Sequence, residues 1–354
     1  MEQKNQQEIN QLIKQVNSLL LSVGGILVVV LAMIVMIYWG DDMAEEDFES
    51  SGSDRALIDS AAPVNHPSLD ESSVLWVAAD IANAPEGKKA QLEYGKDLIV
   101  NTAKYFGPKG SVAHLTNGMN CQNCHLNAGT QPYGNNYGSV ASTYPKYRGR
   151  SGAIEDIYKR VADCFERSLN GVAPKVGSKE MEAIVSYINY VGSNVKKGDK
   201  AKGSGIYELA LLDRAADPAK GKILYAAKCV SCHQADGSGM MNADGVSYQY
   251  PPMWGDHSYN HGAGLYRLSR FAGYIKANMP LGATYKAPLL SDEEAWDLAA
   301  FVNSMPRPSK DWPKLEETNF DHPFGPFADA FSDEQHKFGP FKPIKAAQKK
   351  AKKG

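Results

Sequence analysis

Two Cys-x-x-Cys-His pentapeptides, Cys121-Gln-Asn-Cys124-His125 and Cys229-Val-Ser-Cys232-His233, constrain this 354-residue chain more than any other feature in it. In this pattern two thiols bond the vinyl groups of a haem, and the histidine becomes the proximal iron ligand. Two such sites imply two covalently attached haem c groups, each needing a pocket folded around it. A Gly-Lys pair precedes each site (Gly95-Lys96 and Gly221-Lys222) at the opening of a helical pattern. Apolar residues at helical spacing close each half, from Met181 to Val191 and from Glu293 to Asn303. His233 follows His125 by 108 residues and Asn303 follows Asn189 by 114, so the halves form an internal repeat in near register. The first copy has 18 extra residues between its Gly-Lys pair and its first cysteine.

The expected fold class is all-α: two tandem cytochrome c-like domains with an N-terminal transmembrane helix and an extended C-terminal strap. The first domain spans 75–200 and the second 206–306, joined by a lysine-rich linker. From 307 to 354 the chain is rich in Pro and Phe, with Phe324-Gly-Pro-Phe327 echoed by Phe338-Gly-Pro-Phe341. That segment reads as a strap over the domains, ending in a solvated lysine-rich tail. A net charge of -2 argues against nucleic acid as a partner.

Leu19 to Trp39 is 21 residues without a charge, about 31 Å of helix, which matches a bilayer core of roughly 30 Å. Lys4 and Lys14 precede it, while Asp41, Asp42, Glu45, Glu46 and Asp47 follow it. Tyr38 and Trp39 stand where interfacial aromatics belong. The expectation is a single-pass anchor over 19–40 in the cytoplasmic membrane, with a short cytoplasmic segment at 1–18. A flexible acidic linker at 41–74 then leads to haem domains in the periplasm. A cleaved signal peptide is the competing reading, although no small-x-small site follows the apolar run at once.

Cys164 is the fifth cysteine and has no partner. Between Leu126 and Glu180 the first domain has neither methionine nor histidine, so Cys164 is its candidate second iron ligand; His114 and Met119 lie before the attachment site and are outside candidates. Ala153 to Asn170 reads as one helix whose Arg160, Cys164 and Ser168, at i, i+4 and i+8, share a face. The guanidinium would favour the thiolate, the form that binds metal and attacks sulfur. The alternatives are a cysteine that merely fills the core and an Arg160 paired with Asp156. Lys146, Arg148, Arg150, Lys159, Arg160 and Arg167 cluster around this stretch, suiting a small sulfur oxyanion; acids among them leave a solvated helix face as the other reading. In the second domain Met279, 46 residues after His233, is the candidate axial thioether, with Met240, Met241 and Met253 as rivals. A His/Met pair leaves no open site and suits electron relay.

The haem segments, the stretch Asp163-Cys-Phe-Glu-Arg-Ser-Leu-Asn-Gly171, the Ser258-Tyr-Asn260 and Asn278-Met-Pro280 segments and the Phe-Gly-Pro-Phe tail resemble bacterial dihaem thiosulfate dehydrogenases/tetrathionate reductases. The resemblance covers roughly 75–344. It implies an oxidoreductase interconverting thiosulfate and tetrathionate at a His125/Cys164-ligated haem, with Arg150, Arg160 and Ser168 binding the anion. It also implies a soluble cytochrome c or a quinol-linked membrane protein as redox partner. Some members carry a lysine immediately before the second-haem methionine, where this chain has Asn278. The alternative function is an electron-transfer cytochrome subunit of a respiratory or sulfur-oxidation complex.

Overall fold

A computed structural model describes residues 74–148, 151–310, 321 and 330–351. The expected anchor, the segments flanking it and Arg150 lie outside the described residues. Among those described, no helix is long and apolar enough to cross a membrane.

Each half is built on a pair of crossed helices. In the first, α1 (Glu86–Val100) packs on α4 (Lys179–Val191), with the short α2 (Thr102–Phe106) and α3 (Ile157–Arg167) between them in sequence. In the second, α5 (Pro218–Lys228) packs on α7 (Asp292–Ser304), which also contacts α6 (Leu268–Asn278). Local chemistry sets the ends of these helices. Ser178 caps α4 by accepting from Met181 N, and Glu180 and Glu182 favour its positive end. Ser291 and Glu294 form a reciprocal capping box on α7. Asp217 caps α5, with Pro218 in the first turn where no amide donor is needed.

The two Gly-Lys glycines do not open their helices as the sequence suggests. Gly95 lies within α1 and Gly221 within α5, each at the crossing point. A Cβ on Gly95 would stand 2.1 Å from the carbonyl oxygen of Ala183, and one on Gly221 would stand 2.0 Å from that of Asp297. The repeated glycine is therefore a packing requirement.

Three further expectations are corrected. The helix expected from Ala153 starts at Ile157, because Asp156 accepts a hydrogen bond from Lys159 N (2.8 Å) and fixes the first turn there. Ala153–Glu155 (β2) instead pairs antiparallel with Lys146–Arg148 (β1), with Ile154 opposite Tyr147 and both exposed. A second ribbon, β3 (Met240–Met241) with β4 (Tyr248–Tyr250), adds another small departure from an all-α fold. The C-terminal segment is not an extended strap where it is described. It forms α8 (Asp333–Phe338), capped by Ser332 and Gln335, and α9 (Phe341–Ala351). Phe341 and Ile344 share one face of α9 and are buried, with Phe341 stacked near Trp296 of the second domain (5.6 Å between centroids).

The second domain also holds the end of α3. Asn260 is fully buried: its backbone N–H donates to Arg167 O (3.0 Å), and its side-chain N–H groups donate to Glu166 O and Asn170 Oδ1 (2.9 Å each). Lys310 Nζ adds donations to Glu166 O and Gly171 O. These groups satisfy carbonyls that a helix C-terminus leaves without intrahelical partners.

Candidate active site

Cys121, Cys124, His125 and Cys164 line one cavity of about 390 Å³. His125 Nδ1–H donates to Asn135 O (2.5 Å), because a carbonyl can only accept, and this leaves Nε2 available to a metal. Burial pulls the His125 pKa down to about 4, the charge of Arg160 adding to the effect, so the imidazole is neutral. Burial likewise pushes the Cys121 and Cys124 thiols up to about 12. Cys229, Cys232, His233 and Met279 line a second cavity of about 870 Å³, in which His233 Nδ1–H donates to Pro251 O (2.9 Å). Both volumes lie in the range of cofactor sites. Two thiols and a neutral, oriented histidine at each cavity fit a covalently attached haem, and the same carbonyl-bonded histidine recurs in both halves.

Arg160 Nη1 donates to Cys164 Sγ at 3.1 Å. The electrostatic influence of Cys164, first among the causes, raises the Arg160 pKa above its ordinary value. Arg160 therefore faces the sulfur, while Asp156 caps the helix. Ser168, one turn beyond Cys164, lines the same cavity.

The other cations of the sequence cluster divide. Lys146 and Arg148 line the cavity, since alternate residues of β1 share a face. Lys159 and Arg167 instead pair with the buried Asp163, at 2.6 and 3.5 Å. Among the methionines, Met253 and Met279 line the second cavity and Met241 is exposed. Met119 is buried and lines both cavities, which also share Asn120, Cys124, Tyr259 and Leu265. The two pockets thus have a common wall.

Sequence reasoning missed Lys200, Arg267 and Arg270, which also line the first cavity. Lys200 belongs to the interdomain segment, and the two arginines sit at the N-terminal end of α6 in the second domain. The effect of Lys200 and Arg270 registers at Lys146, whose pKa is lowered by burial and then by Arg148, Arg160, Lys200 and Arg270. Nothing in the sequence indicates which surface of one domain faces the other.

Residues 111–196 match the family model described as "SoxA/TsdA, cytochrome c domain", and 218–306 match "Cytochrome c". The chain is 42% identical over 196 residues to a thiosulfate dehydrogenase of Allochromatium vinosum, covering 54% of this chain and 71% of that one. It is 41% identical over 207 residues to that of Psychrobacter arcticus (56% and 61%) and 33% over 256 residues to that of Thiomonas intermedia (70% and 77%). Among solved structures it resembles the thiosulfate dehydrogenase (TsdBA) of Marichromatium purpuratum in its "as isolated" form, with a TM-score of 0.61 and 30% identity. That match covers 67% of this chain and 50% of that one, so the chain spans half the length of the solved protein.

Proposed function

Since the chain belongs to the thiosulfate dehydrogenase family, a family of dihaem c-type oxidoreductases that form tetrathionate, we propose that it couples and cleaves sulfur–sulfur bonds at the Cys164 cavity, interconverting two thiosulfates and one tetrathionate. His125 and Cys164 would hold the iron of the first haem, and His233 and Met279 that of the second. Haems held at these residues would supply the redox centres that take up the two electrons released by coupling.

The chain's own groups meet two demands of this reaction. The first is charge. Two dianions about 5 Å apart repel by on the order of 13 kcal/mol at an effective dielectric near 20, so the site must offer fixed cations. Arg160 and Ser168 stand on the cysteine's own helix face to receive one anion, and Arg150 is proposed to join them.

The second demand is a sulfur nucleophile. Once it has left the iron, the Cys164 thiolate, with Arg160 as its fixed cationic partner, would bond to the outer sulfur of one thiosulfate as two electrons depart. The outer sulfur of the second thiosulfate then attacks that sulfur and displaces Cys164 as thiolate. The product is tetrathionate, and the reverse sequence cleaves it.

The observation that carries this reading is the 3.1 Å contact between Arg160 and Cys164, inside the cavity that the first Cys-x-x-Cys-His segment lines. Cys164→Gly should still attach both haems yet lose thiosulfate-dependent reduction of an added electron acceptor. Retained turnover would refute it. We place the haem domains in the periplasm, anchored by residues 19–39. The second haem would exchange electrons with a soluble cytochrome or a quinol-linked membrane partner; the charge-free apolar run and its flanks support the anchor.

A further inference from the structure

Met279 follows a residue that the first domain holds. Asn278 ends α6 and is buried. Its carboxamide accepts from Gln131 Nε2 (2.9 Å) and donates to Tyr133 O (3.2 Å) and Tyr274 O (2.9 Å). The Tyr274 bond lies within α6, whereas Gln131 and Tyr133 belong to the first domain. The segment that bears them is itself fixed: Asn136 Nδ2 donates to Gln131 O (2.8 Å) and Gly203 O (2.7 Å), and Tyr133 N donates to Gly203 O (2.8 Å). It also supplies Asn135 O, the acceptor for His125. Gln131 and Pro132 line the second cavity together with Asn278 and Met279. The Tyr133 ring packs against Tyr285, in the loop between Met279 and α7 (5.1 Å between centroids). Lys276, buried, closes the base of that loop by donating to Leu290 O and pairing with Asp292, at 2.7 Å each.

We propose that Gln131 is a positioning residue for the second haem: by holding Asn278 it keeps the Met279 thioether seated on the iron, from the neighbouring domain. A thioether is a neutral ligand, and the backbone that presents it decides how readily another donor takes its place. Asn278 spends both donors and its acceptor on groups that are themselves fixed, so the residue after it leaves the helix at a fixed point. Removing the Gln131 donor leaves a buried acceptor without its partner and frees the end of α6 to shift. This role rests on the His233/Met279 reading above.

The test uses the full dihaem protein in its oxidised form and the variant Gln131→Leu, which keeps most of the side-chain volume and removes the donor. Methionine sulfur on ferric haem iron gives a far-red absorption band, and added imidazole abolishes that band as it displaces the sulfur. Gln131→Leu should bind imidazole at this haem about fivefold more tightly, the loss of one hydrogen bond that favours the seated state. Asn278→Ala should have at least as large an effect. Adding Gln131→Leu to it should change the affinity little further, because Gln131 acts through Asn278. An unchanged imidazole affinity in Gln131→Leu, beside a parent that shows the band, would overturn the role of Gln131 alone. A lowered unfolding midpoint with unchanged imidazole affinity would do the same, since it marks a merely structural contact. Equal effects of Gln131→Leu in the parent and in Asn278→Ala would also overturn it. If Gln131→Leu fails to fold, Gln131→Glu, which keeps the shape and loses the donor, takes its place under the same outcomes. A parent without the band would overturn the His233/Met279 reading, and this role with it.

Discussion

Asn260→Ala should loosen the catalytic helix from a position in the other domain. The substitution removes three side-chain hydrogen bonds: to Glu166 O and Asn170 Oδ1 at 2.9 Å, and from Gly262 N to Asn260 Oδ1 at 3.0 Å. At a net contribution of about 1 kcal/mol each, the upper figure is about 3 kcal/mol. Two contacts reduce the loss, because Lys310 still donates to Glu166 O and the backbone bond from Asn260 N to Arg167 O survives the truncation. A cost of about 2–3 kcal/mol remains, which for a folded unit of this size lowers the midpoint of thermal unfolding by roughly 4–12 °C. Calorimetry of the dihaem protein reads that shift. Because α3 carries Arg160, Cys164 and Ser168, a displaced C-terminus should also lower kcat for thiosulfate by about tenfold or more, since small misplacements of reacting groups are expensive. Asn260→Asp keeps the oxygen but loses both side-chain donors, and should fall close to the alanine variant. A midpoint within about 1 °C of the parent, with unchanged kcat, would refute the claim that Asn260 holds the helix.

Gly221→Ala places a Cβ 2.0 Å from the carbonyl oxygen of Asp297, so α5 and α7 must separate. Denaturant unfolding should show a loss of at least about 1–3 kcal/mol, and the haem-2 absorption should respond before that of haem 1. The pKa of Lys146 lies below its ordinary 10.5, and a bound anion favours its charged form. Raising the pH through that lowered value removes a cation from the site, so the thiosulfate KM should climb on an alkaline limb beginning below 10.5. Lys146→Arg, which stays charged, should flatten that limb.

Much of the chemistry was legible in one dimension because covalent attachment and helix periodicity are local. The Cys-x-x-Cys-His spacing states the cofactor, and the 3.6-residue repeat sets Arg160, Cys164 and Ser168 on one face. The places where reading failed are those where competing local forces decide. Asp156 could cap the helix or pair with Arg160, and only the packed structure shows it capping. Ala153 and Ile154 fit a helical stripe but pair as a strand, because the cap at Asp156 excludes them from the helix. Phe341 and Ile344 looked like part of an aromatic strap, yet their i, i+3 spacing becomes helical once Trp296 offers a surface to cover them.

By itself the sequence determined two haems, a repeated helical frame and a lone thiol beside an arginine, since each follows from neighbours in the chain. Only the tertiary structure decided which cations surround that thiol. Lys159 and Arg167, close in sequence, are paired with Asp163, while Arg270, over a hundred residues from Cys164, reaches the same cavity. The physical reason is that Coulomb interactions depend on distance through space, and the docking of one domain on the other sets those distances.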